Sequence, residues 1–544
     1  MTNSMRTQRF RRTLCLGLLA ALCAVAALGA QGGGVTYEQI VRAGDDPANW
    51  ITYHGQYHAQ RYSRLAQIDR SNVGRLELAW VRQLPVLGQV QTTPLVKDGI
   101  MYLTTPENEV YALDAATGNV FWTYQHDLSD TLALCCSKQS RGVGMLGERL
   151  YLTTMDAHLI ALDAATGTEL WDRKIADHLA GYSMTAAPLV VKDMIITGTG
   201  GGEYGIRGWV DAYDAGTGER RWRAYTIPGP GEPGNETWEG DSWKTGGAST
   251  WMTGSYDPDL NLIYWGVGNP GPDWNGEARE GVNLYSDSVI AIDADSGEIK
   301  WHFQFTPHDV HDWDACQVPV LVDMEVGGRT QKLMLFANRN GFFYVLDRET
   351  GRFVQGWEFA VQTWAQGLDD SGRPIRVPDM EPTPEGKLVF PDVNGASNWW
   401  SPSYSPDTGL FYTMAYDGSA MYYQAESEYV PGQLFIGGSH TPQTSRNDRV
   451  SAVRAIDPQT ARVVWEHRVQ PKSMSGVMTT AGGLAFAGTV TGNFIALDAE
   501  TGADLWHRRL GGNVIAAPIT YQVNGRQQVT IAAGQAIFTF ALGD

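Results

Sequence analysis

One phrase recurs through this chain and constrains its fold more than any other feature. It has the form Ala-x-Asp-x-x-Thr-Gly-x-x-x-Trp: ALDAATGNVFW begins at Ala112, ALDAATGTELW at Ala161, AYDAGTGERRW at Ala212, AIDADSGEIKW at Ala291 and ALDAETGADLW at Ala496. Two looser copies are VLDRETGRFVQGW from Val345 and AIDPQTARVVW from Ala455. Self-similarity of this kind marks an architecture of repeated units. Each copy reads as a strand ending in Asp, a tight turn in which Gly supplies positive φ, and a return strand ending in Trp. Segments such as IMYLTT from Ile100, LYLTTMD from Leu150 and LAFAGT from Leu484 supply a further apolar strand ahead of the phrase.

Strand, strand, turn, strand at this pitch describes the blade of an all-β propeller. In such a fold, four-stranded sheets pack face to face around an axis, and a Trp at a fixed place fills the gap to the next sheet. The seven Trp are Trp122, Trp171, Trp222, Trp301, Trp357, Trp465 and Trp506, and Trp80 in GRLELAW precedes the first copy. Eight blades are therefore expected, forming one domain over residues 31–544. The ring is expected to close by pairing N-terminal strands with the final strand near Ile537 to Leu542. These repeats define a fold and leave the activity open.

Residues 1–30 have a basic start (Arg6, Arg9, Arg11, Arg12), an apolar run from Leu14 to Leu28 and small residues at Gly29 and Ala30. That is the grammar of a cleaved secretory signal; the run is short of the roughly 20 apolar residues that span a bilayer. Its loss takes the formal net charge from −19 to −23. Such a charge argues against nucleic acid and anionic membranes as partners and suits a basic protein partner. The expected compartment is the periplasm, where disulfides persist. No Cys-x-x-Cys-His occurs, so no c-type haem is expected on this chain.

Two constellations stand out. Cys135 and Cys136 are adjacent, which sets their Cα atoms about 3.8 Å apart, below the usual disulfide range. Two free thiols or a bridge to Cys316 are the alternatives to a vicinal disulfide, which an oxidising compartment favours. Glu203, Asn269, Asp312 and Asp314 form a scattered set of oxygen ligands suited to a hard cation, provided the fold brings them together. Taken singly, each reads as a solvated turn residue. Two patterns lead elsewhere. Gly266 to Gly271 matches G-x-G-x-x-G, but Pro270 forbids the helix that would hold a pyrophosphate. His308 and His311 have no neighbouring Cys or His to complete a zinc site.

Several longer strings carry a resemblance over nearly the whole mature chain: the Cys135-Cys136 pair, GGEYGIRG from Gly201, TWEGDSWKTGG from Thr237, YWGVGNP from Tyr264, TPHDVHDWD from Thr306 and NRNG from Asn338. In these the chain resembles the quinoprotein methanol and ethanol dehydrogenases, which use pyrroloquinoline quinone (PQQ). The resemblance implies that PQQ lies on the propeller axis between a Cys135-Cys136 disulfide and the indole of Trp251. It implies that Arg141, Thr185, Gly201, Gly202, Ser249, Arg339 and Asn398 bind the cofactor. Glu203 and Asn269 match metal ligands, and Asp312 matches the catalytic base and a further ligand. The implied reaction is alcohol oxidation: the metal polarises the C5 carbonyl of PQQ, Asp312 takes the hydroxyl proton and hydride passes to C5. Electrons then leave to a separate cytochrome c, and a homodimer fits the same pattern.

Asp314 refines the choice of metal. Lanthanide-dependent relatives carry Asp at this place, whereas calcium-dependent ones carry a small uncharged residue, so a lanthanide(III) is expected, with calcium as the alternative. Asp314 is expected on the same side of an extended segment as Asp312, the contrary reading being that it points to solvent. Gln91, Gln139 and Met474 depart from the family pattern, and the long C-terminal segment is missing. Trp364, Trp399, Trp400, Tyr422 and Tyr423 read either as an apolar lid over the mouth or as a packed loop. Two rival functions remain: a cofactor-free propeller scaffold of the outer-membrane assembly type, or a calcium enzyme acting on another alcohol or polyol.

Overall fold

A computed structural model describes residues 34–132, 134–443, 450–470 and 472–543; the secretory signal read at residues 1–30 lies outside them. The chain is all-β apart from short helical turns. No helix among the described residues is long and apolar enough to cross a membrane.

Among the described residues, eight sheets carry the architecture, seven of four strands and one of five. The sheet containing the first repeat shows how sequence builds them. Leu95–Lys97, Ile100–Thr104, Val110–Asp114 and Val120–Tyr124 pair in chain order, each antiparallel to the last. The two middle strands are buried along nearly their whole length, and the last is largely exposed. Continuous burial in place of alternation means that both faces of the sheet are covered by neighbours, as stacked sheets require. N-terminal strands close the set at two places: Tyr62–Ser63 pairs parallel with Met478–Thr480, and Leu76–Gln83 pairs antiparallel with the last strand, Ala536–Leu542.

The repeated phrase has a physical explanation at each of its fixed residues. The Asp carboxylate accepts main-chain N–H groups of the turn, as Asp114 does from Ala116, Asp163 from Thr166 and Asp498 from Thr501. The turn Gly holds φ between +71 and +76° at Gly118, Gly167, Gly218, Gly297, Gly351 and Gly502. Each also lies under the Trp of the preceding sheet. A Cβ at those six positions would approach the rings of Trp80, Trp122, Trp171, Trp222, Trp301 and Trp465 to 2.4–2.9 Å. Four of these indoles donate to the carbonyl just after the next Asp: Trp80 to Ala115, Trp122 to Ala164, Trp222 to Ala294 and Trp465 to Ala499, at 3.0–3.3 Å. The indole N–H groups of Trp171 and Trp301 have no hydrogen-bond partner.

The looser copy from Val345 behaves differently, and Trp357 is a correction to the sequence reading, whereas Trp465 of the other looser copy faces Ala455 as in the regular copies. Ala112, Ala212 and Ala291 face Trp122, Trp222 and Trp301 across the turn, but Val345 faces Gln355. Gln355 donates to the carbonyl of Pro458, the residue that follows Asp457 as Ala115 follows Asp114. Trp357 is 47% exposed and lies under the guanidinium of Arg462, 3.3 Å from its ring centroid. Ala461, with φ +55°, stands where the other copies have Gly. The reason is the two extra residues in VLDRETGRFVQGW, which carry the Trp past the contact position.

The insertion between these copies forms two small sheets, Ala365–Leu368 with Pro374–Arg376, and Lys387–Val389 with Ala420–Gln424 and Gly438–Pro442. Trp364, Trp400 and Tyr422 are buried, with indole N–H groups of the first two donating to Asn340 O and Met414 O. They are packed core and not an open lid.

Replacing Gly297 by Ala is expected to lower stability by about 2–4 kcal/mol, because strain at positive φ adds to a clash with Trp222. Gly327 has φ +61° with nothing within 4 Å of the new Cβ, so Gly327→Ala should cost only about 1 kcal/mol. Thermal unfolding of the two variants side by side separates the ring contact from the backbone effect.

Candidate functional site

The segments that lead into the first strand of each sheet converge. Gln91, Thr185, Trp251, Cys316, Trp399 and Met474 each stand four residues before a first strand, which begin at Leu95, Leu189, Ser255, Val320, Ser403 and Met478. Arg141 stands three before Gly144. Trp251 and Trp399 pack with Tyr53, Ala187, Met252 and Cys316 in one cluster. Trp399 and Cys316 were not assigned to the site from sequence, yet the same offset from the first strand points to both.

Above that cluster is a cavity of about 230 Å³. Its wall includes Cys135, Cys136, Arg141, Thr185, Gly201 and Glu203 from earlier sheets, and Ser249, Trp251, Asp312, Asp314, Arg339 and Asn398 from later ones. Gly202 and Asn269 lie behind this wall. A Cβ on Gly202 would come to 3.2 Å from Ser249 Oγ and 4.0 Å from Asn269 Oδ1, which places Gly202 beside both side chains.

Cys135 and Cys136 are joined by a disulfide and are both exposed. Cys316 is the free cysteine among the described residues and is buried. Both Sγ atoms of the pair and a carboxylate oxygen of Glu203 lie within 4.8 Å of one another; with the sulfurs bonded together, this is no thiolate metal site. Trp251 presents its ring to the guanidinium of Arg141, 5.0 Å from the centroid, and Trp399 does so at 5.1 Å. Arg141 Nη1 donates to Thr185 Oγ1 at 2.7 Å, while its buried Nε has no partner. Burial pushes this guanidinium down to about 10. The Asn398 amide donates to Asn394 O, and its Oδ1 accepts from Trp399 N.

The acidic side is more heavily charged than the basic one. Asp314 is buried; its Oδ1 accepts from Asn269 N at 2.8 Å, and its Oδ2 accepts from Trp251 Nε1 at 3.1 Å and Arg339 Nη1 at 2.6 Å. It does not point to solvent. Arg339 Nη1 also lies 3.6 Å from Asp312 Oδ1. Burial opposes the charge of Arg339, but Asp312 and Asp314 outweigh it and raise its affinity for the proton. Burial pushes the Asp312 carboxyl well above the usual range; Arg339 opposes this, and Asp273, Asp314 and Glu203 reinforce it. Glu203 is raised by burial and by Asp314. A cation among these oxygens reverses both directions.

Local backbone differs from the sequence expectation here. Asp312 has φ +60°, so a left-handed turn, and not strand alternation, brings Asp312 and Asp314 to the same wall. Such a conformation costs about 1–3 kcal/mol and is held by its surroundings. Asp309 is outside the cavity wall, its carboxylate accepting from His311 N and Trp313 N. His311 stacks on Trp313 with ring centroids 4.2 Å apart, and His308 donates to Gly281 O; both are structural. Asp273, missed from sequence, accepts from Asn269 Nδ2 at 2.9 Å. That bond orients the amide so that Oδ1, the better metal ligand, is free.

The donor set fits the groups that the sequence implied. Two buried guanidinium groups, one with an unpartnered N–H, suit a planar polycarboxylate. The indole face and the exposed disulfide offer flat surfaces, and four oxygen-bearing side chains suit a hard cation.

A cavity of this kind among radially arranged sheets defines a quinoprotein of the β-propeller class. The family described as the glucose/ethanol/alcohol dehydrogenase PQQ β-propeller domain matches residues 50–361, and the chain belongs to the PQQ-dependent alcohol dehydrogenase family. It is 38% identical over 561 residues to quinoprotein alcohol dehydrogenase PedH of Pseudomonas putida KT2440, covering 98% of this chain and 93% of that protein. A quinoprotein ethanol dehydrogenase of Pseudomonas aeruginosa PAO1 is 36% identical over 95% of this chain and 91% of its own. Among solved structures, a europium-containing methanol dehydrogenase superposes with TM-score 0.88 at 32% identity, covering 93% of this chain and all of that one. A second family description, outer membrane protein assembly factor BamB, matches only residues 449–540.

Mass spectrometry of the unreduced protein should find the peptide containing Cys135 and Cys136 two hydrogens lighter than after reduction. Two free thiols in protein kept oxidised would contradict the pairing.

Proposed function

We propose that this chain is a periplasmic, PQQ-dependent alcohol dehydrogenase that oxidises primary alcohols to aldehydes. A lanthanide(III) is the proposed Lewis acid and a separate cytochrome c the electron acceptor. In this reading residues 1–30 are removed, and residues 31–544 form one domain whose eight sheets are propeller blades docked through the Trp contacts. The observation that carries the reading is the meeting, in one cavity, of the Cys135-Cys136 pair, the Trp251 ring, a buried Arg141 with a free N–H, and three carboxylates. The names of the relatives, quinoprotein alcohol and ethanol dehydrogenases, support the activity.

When bound, PQQ with its cation supplies a polarised quinone carbonyl that accepts the hydride of the alcohol carbon. The residues of the chain do the rest. Arg141 and Arg339 would hold anionic oxygens of the cofactor, Thr185, Ser249 and Asn398 would supply neutral polar contacts, and Trp251 and the disulfide would offer flat surfaces to it. Glu203, Asn269, Asp312 and Asp314 hold the cation. Asp312, on the cavity wall, takes the hydroxyl proton at a carboxylate oxygen, for which it must be ionised; a cation held beside it would favour that form.

Charge bears on the choice of cation. Glu203, Asp312 and Asp314 together carry three negative charges when ionised, and Arg339, placed between Asp312 and Asp314, supplies one positive charge. A divalent ion balances that sum, so the trivalent preference rests on the further negative charge that PQQ, a polycarboxylate, brings into the partly dry cavity. The europium-containing neighbour supports the choice.

Two experiments test this. Metal-free protein with PQQ is titrated with La³⁺ and with Ca²⁺ while alcohol-dependent dye reduction is followed; La³⁺ should activate at lower concentration, and Asp314→Ala should shift preference toward Ca²⁺. Full activity with Ca²⁺ and none with La³⁺ would refute the lanthanide assignment. No alcohol turnover with either metal would refute the enzyme reading and favour the scaffold. Asp312→Asn should keep PQQ binding and lower kcat by at least about 100-fold; near-native kcat would remove Asp312 from the proton step.

A further inference from the structure

Gln139 is fastened at three points. Its main-chain N–H donates to Met155 Sδ at 3.2 Å, its side-chain Nε2 donates to Cys136 O at 2.6 Å, and its Oε1 accepts from Arg141 Nη2 at 2.6 Å. Met155 is fully buried and is itself tied to Asn108 through its own N–H. The base of Gln139 is therefore anchored in the core, and its amide spans from the disulfide-bearing turn to the buried guanidinium. The Gln amide carries its donor and its acceptor on separate atoms of one planar group, at the end of a side chain long enough to reach both partners.

The turn needs such a tie. Cys135, Cys136, Ser137 and Lys138 are all exposed. A further side-chain tie of this turn among the described residues, the ion pair of Lys138 Nζ with Glu107 Oε2 at 2.6 Å, is a surface contact whose contribution is small. Arg141, in turn, is fixed on one side by Thr185 Oγ1 and on the other by Gln139, and these two bonds leave Nε as its unpartnered donor.

We propose that Gln139 is a positioning residue. It locks the Cys135-Cys136 turn and the Arg141 guanidinium into one rigid unit, so that the cover and the carboxylate anchor of the cavity close on PQQ together. This rests on the reading that the cavity holds PQQ. An apolar residue at 139 leaves the turn free to lift and Arg141 Nη2 without its acceptor. Either change weakens the cofactor grip by making it form in two steps in place of one.

The test is equilibrium binding of PQQ to metal-free protein supplemented with La³⁺, followed by quenching of tryptophan fluorescence, alongside the unfolding temperature of the cofactor-free protein. Gln139→Met, similar in length and unable to make either bond, should raise the Kd for PQQ about tenfold. Gln139→Glu should raise it further: the carboxylate neutralises Arg141 before the ligand arrives and repels the Cys136 carbonyl. Both variants should unfold within about 2 °C of the native cofactor-free protein, which a merely structural role would not allow. A Kd within about twofold of native in both variants, or a rise matched by a loss of cofactor-free stability, overturns the proposal while leaving PQQ binding in place. Failure of the native protein to bind PQQ overturns the functional reading and this proposal with it.

Discussion

The contact of one sheet's indole with the next sheet's turn glycine is the interaction on which the rest of this structure depends. It sets the spacing between sheets, because a ring sits where a Cβ would otherwise be. With both faces of each sheet covered, its middle strands become continuous apolar runs. Repetition of the contact brings the chain ends together, and Leu76–Gln83 then completes the sheet of Ala536–Leu542. A sheet pair lacking the contact needs a substitute, and Gln355 provides one by donating to Pro458 O. The substitution falls beside the long insertion, where the chain also builds its two small extra sheets.

Once the sheets are arrayed, their inner edges face one another, and whatever precedes each first strand is delivered to the middle. The chemistry of the site is thus a property of loop positions on a rigid frame. Gln91 and Met474 occupy this same offset, and the buried Oε1 of Gln91 has no hydrogen-bond partner. Arg141 between Trp251 and Trp399, and Arg339 between Asp312 and Asp314, are two cations in contrasting settings. The first is held by neutral and aromatic groups and loses affinity for its proton through burial; the second is surrounded by carboxylates and gains it. One keeps its Nε without a partner, and the other balances part of the charge of the carboxylates around it.

Buried carboxylates in excess of buried cations are unfavourable for a fold on its own account. Glu203, Asp273 and Asp312 are all pushed toward the neutral form, burial being the first cause in each. A core built for stability alone would hold apolar groups in these places. The unfavourable cluster is compatible with folding because the sheets around it are continuous and well packed, and in the proposed function the same excess of carboxylates is what would attract a cation.

The sequence by itself determined the strand grouping, since the Asp-anchored turn, the positive-φ Gly and the Trp are read within one repeat or between adjacent ones. It also carried, in local strings such as GGEYGIRG and TPHDVHDWD, the resemblance from which the site residues are assigned. It misplaced Trp357, because two inserted residues shift a side chain past its partner without altering the look of the phrase. It left Asp273, Gln139, Cys316 and Trp399 outside the site, or without a role in it, because their partners lie in other segments: Asn269, the Cys136 carbonyl with Arg141, and the axial cluster around Trp251. Asp312 and Asp314 were legible as a pair, but their joint placement comes from a left-handed residue that only the packed surroundings sustain. Convergence on a common axis is a property of the closed array and not of any one segment. That is why the tertiary structure alone decided which groups meet, which carboxylates share Arg339, and which N–H is left free for a ligand.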